Sequence, residues 1–536
     1  MSRTDLDLQL DQARRCDWYF FTAEPLDRIK TNFVPEKEGD FSLFAVPGSC
    51  CCFVAACRSR FPSRNVRVKV SGVFSGESHP VYNVVFPEEA ALIPDRPGED
   101  PCITVLPANT AGSFLIRIPV PESSSPGKYT LFLQLESSTH CAVSREVTLE
   151  VLPVLPEYDW KQNIIFWPHW RIFARHFGLV LWSDEFFEKA TPYLIAMREM
   201  GMNGIMASIV HDPFHYPLPE AFYAYNDYPA MIRWQKKQDG SWYFDFSVYE
   251  RYVKWNMANG VAAEIECHSL LPCKNQQPEL AWYDPDGSFH TCQTTFDSPV
   301  YREAWQAFLI GFMEFNRRMG WENLITICPY DEPANPESFI SVAELIRKYA
   351  PGARITAAIS AEKAVAVSGS IDIATLHLES GYSEENENLL RQAGVELRWY
   401  NCCFPEWGNT LFCCSLAEVY RMPFVSAAGG YSGFLRWSIF DWPETVLSDP
   451  AFNWPTGDAF LLYPGEKTPV FSLRAVAWLC GIRDLKLLLS KRQNSSAGLQ
   501  KKIDLFTGRL GKKGKLAADE NIARWQHEIL ELLKSL

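Results

Sequence analysis

The sequence predicts a multidomain protein of β plus α/β class: an N-terminal β-sandwich over residues 1–156, a (β/α)8 TIM-like barrel over residues 157–492, and a C-terminal exposed connection and helix over residues 493–536. Three observations predict it. Up to about Leu155, short β-branched or apolar runs are broken by Pro, Gly and Ser clusters, the mark of an all-β sandwich. Beyond Trp160 the hydrophobic period changes from two to about 3.6, as apolar strands alternate with longer amphipathic helices in the manner of a parallel β/α architecture. Eight such strands can be placed, and eight parallel strands close most economically into a barrel.

In the first part, strands are predicted over Phe41–Val46, Cys51–Cys57, Asn65–Phe74, Val81–Phe86, Ser113–Val120, Tyr129–Ser137 and Cys141–Val151. The turn Pro121–Lys128 leads into alternating Tyr129, Leu131, Leu133 and Leu135, a strand with one buried face. Pro153, Pro156 and Glu157–Asp159 form a linker. Barrel strands follow at Ile164–Trp167, Gly204–Ile209, Ala262–Cys267, Leu324–Cys328, Ile355–Ile359, Ile373–Leu378, Glu396–Tyr400 and Gly433–Trp437. Between them, helices are predicted at Asp184–Met200 with Ser183 as N-cap, Val248–Asn259, Pro299–Met319 ending at Gly320, Pro336–Tyr349, Glu384–Ala393 and Leu416–Arg421. Leu473–Lys491 reads as the last barrel helix and Ala517–Leu536 as a further amphipathic one. Gln493–Lys515, rich in Lys, Gly and Ser, is expected to be an exposed connection.

Composition narrows the function. The chain of 536 residues is 47% hydrophobic and 21% charged, which disfavours disorder and fibrous architectures. Its 51 Lys and Arg stand against 64 Asp and Glu, a net charge of −13 that argues against nucleic acid or an anionic membrane surface as the main partner. No apolar run has the length of a secretory signal or a bilayer span, and Cys50–Cys52, Cys402/Cys403 and Cys413/Cys414 are adjacent thiols that bridge one another poorly. A soluble, cytoplasmic protein with reduced cysteines is expected. The sequence leaves a homo-oligomer open, with the sandwich as one candidate dimerisation element.

The fourth barrel strand runs directly into CPYDEPANP, so Tyr330, Asp331 and Glu332 fall where a strand hands over to its loop, the face on which barrel enzymes gather their polar groups. Two crowded acids there drive their pKa values apart, leaving one acid and one anion, a split suited to glycosidic bond cleavage. Neighbouring residues point to opposite sides of a strand, however, and so cannot flank a bond as a nucleophile/acid pair about 5 to 5.5 Å apart. They fit a different division of labour. If the substrate carries a 2-acetamido group, its own carbonyl attacks, and the enzyme supplies one acid for the leaving group and one carboxylate to orient the acetamido N–H. The same spacing also fits Asp331 as a cap for the helix beginning near Pro336, with Glu332 paired to a surface base.

WSDEFFEKATPYLIAMREMGMNGIMASIVHDPF at Trp182–Phe214, YDEP at Tyr330–Pro333, and GFLRWSIFDW, NWPTGDAFLLYPG and SLRAVAWLCGIRDL between Gly433 and Leu485 together resemble glycoside hydrolase family 123, the β-N-acetylgalactosaminidases with a β-sandwich before the barrel. With the domain order, the resemblance covers nearly the whole chain. It implies a retaining exo-hydrolase releasing terminal β-linked N-acetylgalactosamine by substrate assistance, with Glu332 as acid/base and Asp331 orienting the acetamido group. Leu479–Lys486 departs from the R-D-G-I-x-D-Y-E run usual in that helix, which bears on C-terminal packing more than on chemistry.

Sugars stack on aromatic rings, so residues at the other strand ends are substrate-binding candidates: Trp167 and His169, His211 with Asp212, Trp399 and Tyr400, Arg436 and Trp437, and Asp441 and Trp442, each with barrel packing or loop anchoring as its alternative. Tyr400 is the preferred donor to the acetamido carbonyl. Glu264 and Glu266 share one strand face and are read as a buried ion-paired structure rather than as catalysts. Cys402, Cys403, Cys413 and Cys414, and Cys267 with His268 and Cys273, lack C-x2-C spacing, so no metal is expected. No phosphate-binding glycine loop occurs, and no cofactor is expected. Two other functions remain open: a non-catalytic carbohydrate-binding or scaffold protein, and a glycosidase using Glu379 or Asp441 as a conventional nucleophile opposite Glu332.

Overall fold

The computed structural model describes residues 18–22, 26, 29, 43–83, 90–92, 102–156, 158–213, 230–272, 277–333, 335–379, 382–444, 446, 455–517 and 520–535. The predicted strand residues Val84–Phe86, together with Glu157, Phe214, Cys273 and Trp454, lie outside them.

Among the described residues, ten strands build the N-terminal part: β1 Trp18–Thr22, β2 Leu43–Ala45, β3 Cys50–Ser59, β4 Ser63–Gly72, β5 Glu77–Asn83, β6 Ala90–Leu92, β7 Ile103–Leu106, β8 Thr110–Pro119, β9 Gly127–Glu136 and β10 Val143–Val151. They form two sheets, in the orders β1-β3-β8-β5-β6 and β2-β10-β9-β4-β7. Alternation divides the first sheet between two cores. Phe20, Phe53 and Phe114 pack with Leu131 and Leu133 of the second sheet, whereas Phe21, Val54 and Leu115 join the core of the following domain. The sandwich is thereby seated on the barrel, and Arg483 adds a polar tie by donating to the Cys50 carbonyl at 2.9 Å.

The barrel closes in the order β11 Asn163–Phe166, β12 Gly204–Ser208, β15 Glu264–Leu271, β18 Ile325–Tyr330, β19 Arg354–Ile359, β20 Ile373–His377, β21 Glu396–Tyr400 and β22 Gly433–Arg436, with β22 pairing back to β11 in parallel. Each is buried on both sides, which is why each reads in sequence as a near-continuous apolar run. The outer helices are α1 Trp170–His176, α2 Asp184–Glu199, α3 Ser247–Ala258, α4 Pro299–Met319, α5 Pro336–Tyr349, α6 Ala361–Ala366, α7 Glu384–Gln392, α8 Leu416–Tyr420, α9 Met422–Gly429 and α10 Leu473–Gln493. Local chemistry sets their ends. Ser298 accepts from the Tyr301 N–H at 3.2 Å to start α4, and Gly320, at φ 74°, stops it in the left-handed conformation.

Two features depart from expectation. The segments after β12 and β15 raise a four-stranded sheet from β13 Arg233–Lys236, β14 Trp242–Asp245, β16 Glu279–Tyr283 and β17 Phe289–Gln293. The stretch expected to be an exposed connection instead contains helix α11 Ala497–Leu510, whose Leu499, Ile503, Phe506 and Leu510 are buried. Four apolar residues at helical spacing outweigh the intervening lysines and glycines. Helix α12 Ile522–Lys534 follows. The backbone just beyond α11 is also occupied: the buried Arg421 guanidinium donates to the carbonyls of Leu510, at 3.2 Å, and of Lys512, at 2.6 Å.

Candidate active site

The barrel interior is layered. Lowest lies a saturated ionic cluster: Glu264 of β15 accepts two bonds from Arg398 of β21, at 2.6 and 2.9 Å, one from Asn163 of β11 at 2.6 Å and one from Thr326 of β18 at 2.8 Å. Two residues further along β15, Glu266 meets His268 Nε2 at 2.8 Å and accepts from Trp167 Nε1 at 3.3 Å. The His268 and Trp167 rings meet edge to face at 4.7 Å between centroids. Since Thr326 faces inward, Cys328 and Tyr330 take the same side of β18 by alternation.

Asp331 and Glu332 follow at the carboxyl end of β18. Asp331 is buried, and Glu332 is half-buried with φ 46°. A left-handed non-glycine residue costs on the order of 1 kcal/mol and persists only where its surroundings hold it. Here its N–H donates to the Ala358 carbonyl of β19 at 3.1 Å, and its Oε1 accepts from the Tyr400 hydroxyl of β21 at 3.1 Å. Burial first, then the negative charge of Glu332, pushes the Tyr400 hydroxyl well above its ordinary pKa, so it stays a donor. His377 ends β20 in register with Tyr400 and meets that ring edge-on at 5.1 Å, fixing its plane, with Phe404 at 4.9 Å. The strained Glu332 backbone and the Tyr400 hydroxyl thus aim one carboxyl group from two independent strands.

Of the residues picked from sequence, the structure gathers Tyr330, Asp331, Glu332 and Tyr400 at one end of the barrel and seats Trp167 on Glu266 and His268. His211, just beyond β12, packs against Phe289 of the added sheet at 5.1 Å. Trp437 turns its carbonyl to His169 Nε2 at 3.0 Å. Burial lowers the His169 pKa to about 4, leaving a neutral ring whose Nε2 donates.

Four other candidates are buried and hold protein contacts. Trp399 is the neighbour of Tyr400 and must face the other way: its indole donates to Ser426 of α9 at 2.6 Å and packs on Phe434. Arg436 follows the same outward parity and is consumed by Asp458, at 3.0 Å, and by the Asn401 carbonyl at 3.2 Å. Trp442 donates to the Leu462 carbonyl at 2.7 Å within an aromatic cluster containing Phe173 and Phe440. Asp441 is buried, with its N–H on the Ala459 carbonyl at 2.9 Å, and burial raises its carboxyl pKa to about 7. All four side chains are buried.

His377 was not singled out in the sequence. The signal that could have found it is its in-register position beside Tyr400 at the next strand end. Asp458 of the WPTGD stretch also gains a role, since it accepts from the Cys403 N–H at 2.9 Å and pins the loop after β21 to Arg436. Among the described residues every cysteine is a free thiol, and no group of three or more His, Cys, Asp or Glu side chains is placed to hold a metal ion. No described helix is long and apolar enough to cross a membrane.

Comparison with known proteins accords with this architecture. A solved family 123 glycoside hydrolase from Clostridium perfringens, studied for glycolipid glycan hydrolysis, superposes with a TM-score of 0.79 at 20% identity, covering 97% of each chain. A Bacteroides ovatus GH5 xyloglucanase in complex with a heptasaccharide gives a TM-score of 0.30 at 9% identity, over 82% of this chain and 98% of that one. An Eisenbergiella tayi GH2 β-galacturonidase gives 0.34 at 12%, over 81% and 69%. No curated protein sequence matches significantly. The family described as glycoside hydrolase 123, catalytic domain, matches residues 167–490, more than half of the chain, and the protein accordingly belongs to glycoside hydrolase family 123.

Proposed function

We propose that this glycoside hydrolase releases terminal β-linked N-acetylgalactosamine from oligosaccharides with retention, the 2-acetamido group of the substrate serving as nucleophile. The observation that carries the reading is the adjacency of Asp331 and Glu332 at the end of β18, with the Glu332 carboxyl group aimed by Tyr400. In the first step the acetamido oxygen bonds to the anomeric carbon as the glycosidic C–O bond breaks, and Glu332 gives its proton to the departing oxygen. Asp331 accepts from the acetamido N–H and stabilises the positive charge of the cyclic intermediate. Water then attacks the same carbon from the face that the leaving group vacated. Glu332 takes its proton, the ring reopens, and two inversions give net retention.

Tyr400 is near enough to Glu332 to serve either as the donor that orients it or, on substrate binding, as the donor to the acetamido oxygen. The vicinal thiols favour a reducing, cytosolic setting. A conventional nucleophile is less well supported, because Asp441 is buried and Glu379 accepts from the Trp407 indole at 3.3 Å.

A panel of aryl glycosides tests the reading. Aryl β-N-acetylgalactosaminide should be cleaved, sugars lacking the 2-acetamido group should not, and a thiazoline mimic of the cyclised intermediate should inhibit strongly. Cleavage of the 2-hydroxy sugars at comparable rates would point instead to an enzyme nucleophile. Binding without turnover across the panel would point to a non-catalytic sugar-binding protein.

A further inference from the structure

The four-stranded sheet beside the barrel mouth has no part in the chemistry above. Both of its hairpins are excursions of loops at the carboxyl ends of β12 and β15, joined where Gln235 pairs with Tyr283. Alternation gives it two unlike faces. One packs on α4, with Trp234 stacked on Phe308 at 4.6 Å and edge-on to Trp305 at 5.2 Å. The other bears Arg233, Gln235, Tyr243, Tyr283, Phe289 and Thr291, with Tyr243 48% and Phe289 44% exposed. The Arg233 guanidinium lies 3.9 Å over the Tyr283 ring, Tyr283 meets Phe289 at 5.0 Å, and Phe289 meets His211, three residues beyond β12, at 5.1 Å. A line of rings therefore runs from the end of a barrel strand outward across the sheet.

We infer that this face binds the leaving-group-side sugars of a neutral oligosaccharide whose terminal residue occupies the barrel mouth, an inference that rests on the catalytic reading of Asp331 and Glu332. Exposed rings interleaved with amide, hydroxyl and guanidinium groups match a glycan, whose C–H faces stack while its hydroxyls take the planar polar partners. Arg233 and Asp245 stand opposite one another in the strand register, so this face carries both signs of charge rather than one, which suits an uncharged ligand. The direction follows from the barrel order: β18, which carries Glu332, is the strand next to β15, and Glu332 protonates the departing oxygen. The departing glycan leaves on the side where the sheet stands.

Phe289→Ala and Tyr243→Ala in the full chain test this with two substrates, an aryl β-N-acetylgalactosaminide and a tetrasaccharide ending in the same sugar. On the tetrasaccharide, each variant should raise KM about 5- to 20-fold with kcat nearly unchanged, the size of a lost ring contact. The aryl substrate should be cleaved as by the unaltered enzyme. An unchanged tetrasaccharide KM in both variants overturns the inference, as does an equal loss on both substrates. If the unaltered enzyme fails on the aryl glycoside, the catalytic reading falls separately. Titration of the tetrasaccharide into Glu332→Gln protein, with and without Phe289→Ala, then decides the sheet by itself: binding weakened by the same factor supports it, and equal binding overturns it.

Discussion

Glu264 and Glu332 stand on neighbouring strands of the same barrel and differ in how their charge is handled. Glu264 sits in the barrel interior, gripped by Arg398, Asn163 and Thr326 from three other strands. Glu332 stands past the end of its strand, on left-handed backbone, and is aimed by a tyrosine hydroxyl. A carboxylate with its hydrogen-bonding capacity filled by fixed donors is part of the scaffold. A carboxyl group at the end of a strand, oriented by a tyrosine hydroxyl, is the one that the proposed reaction uses as its acid. Asp441 is a third case: it is buried, and no described group donates to its Oδ2.

The largest effect should come from breaking the scaffold acid. Glu264→Gln leaves the buried Arg398 with Glu396, at 3.2 Å, as its remaining carboxylate, and removing one member of a buried pair typically destabilises by about 3 to 5 kcal/mol. Thermal melting should show a large fall, while turnover per folded molecule at low temperature stays near that of the unaltered enzyme. Adding Arg398→Met should restore much of the lost stability, because the uncompensated charge is then gone. The catalytic acids should behave in the opposite way. Glu332→Gln and Asp331→Asn should each lower aryl glycoside turnover by roughly a hundredfold or more with the melting temperature nearly unmoved. Full activity in both variants would remove the contrast altogether.

What could be read from the chain, and what could not, follows the same physics. The eight barrel strands were legible because parallel strands covered on both faces must be apolar throughout, and α4 was legible to the residue because Ser298, Pro299 and Gly320 fix its ends chemically. The added sheet was not, since runs such as RWQK and FHTCQ mix charge, amide and aromatic groups on four or five residues and resemble loop. Helix α11 was hidden by lysine and glycine between its four buried apolar residues. At the site, the Asp331/Glu332 pair could be found because it abuts the end of a recognisable strand. Trp399 and Arg436 could not be sorted from Tyr400 and Trp437 without register, because one residue of slip reverses every side chain.

Asp441 extends the comparison to pH. Burial raises its folded-state pKa to about 7 from an ordinary value of 3.8, so between these limits the folded chain holds a proton that the unfolded chain has released. The stability that this group contributes is therefore full below about pH 4 and is lost as pH rises through about 7. Asp441→Asn cannot ionise. It should melt a few degrees above the unaltered protein near pH 8 and at the same temperature near pH 4. A difference that does not change with pH would mean that Asp441 is not titrating.

The smallest effect expected is also the most discriminating, because it asks which atom Tyr400 serves. Removing the hydroxyl in Tyr400→Phe should lower kcat on a substrate with a poor leaving group by about tenfold, the worth of one oriented hydrogen bond. If that bond aims Glu332 as a general acid, the loss should shrink as the leaving group improves and nearly vanish for a dinitrophenyl glycoside, which departs without protonation. If Tyr400 instead holds the acetamido oxygen during attack, the same defect should persist across all leaving groups, since every substrate must still cyclise. A purely structural tyrosine would lower the melting temperature and leave kcat of the folded fraction alone. The edge-on packing of His377 supplies a second handle: His377→Ala frees the Tyr400 ring without removing its hydroxyl, so it should reproduce the leaving-group trend in weaker form only if orientation of Glu332 is what the tyrosine provides.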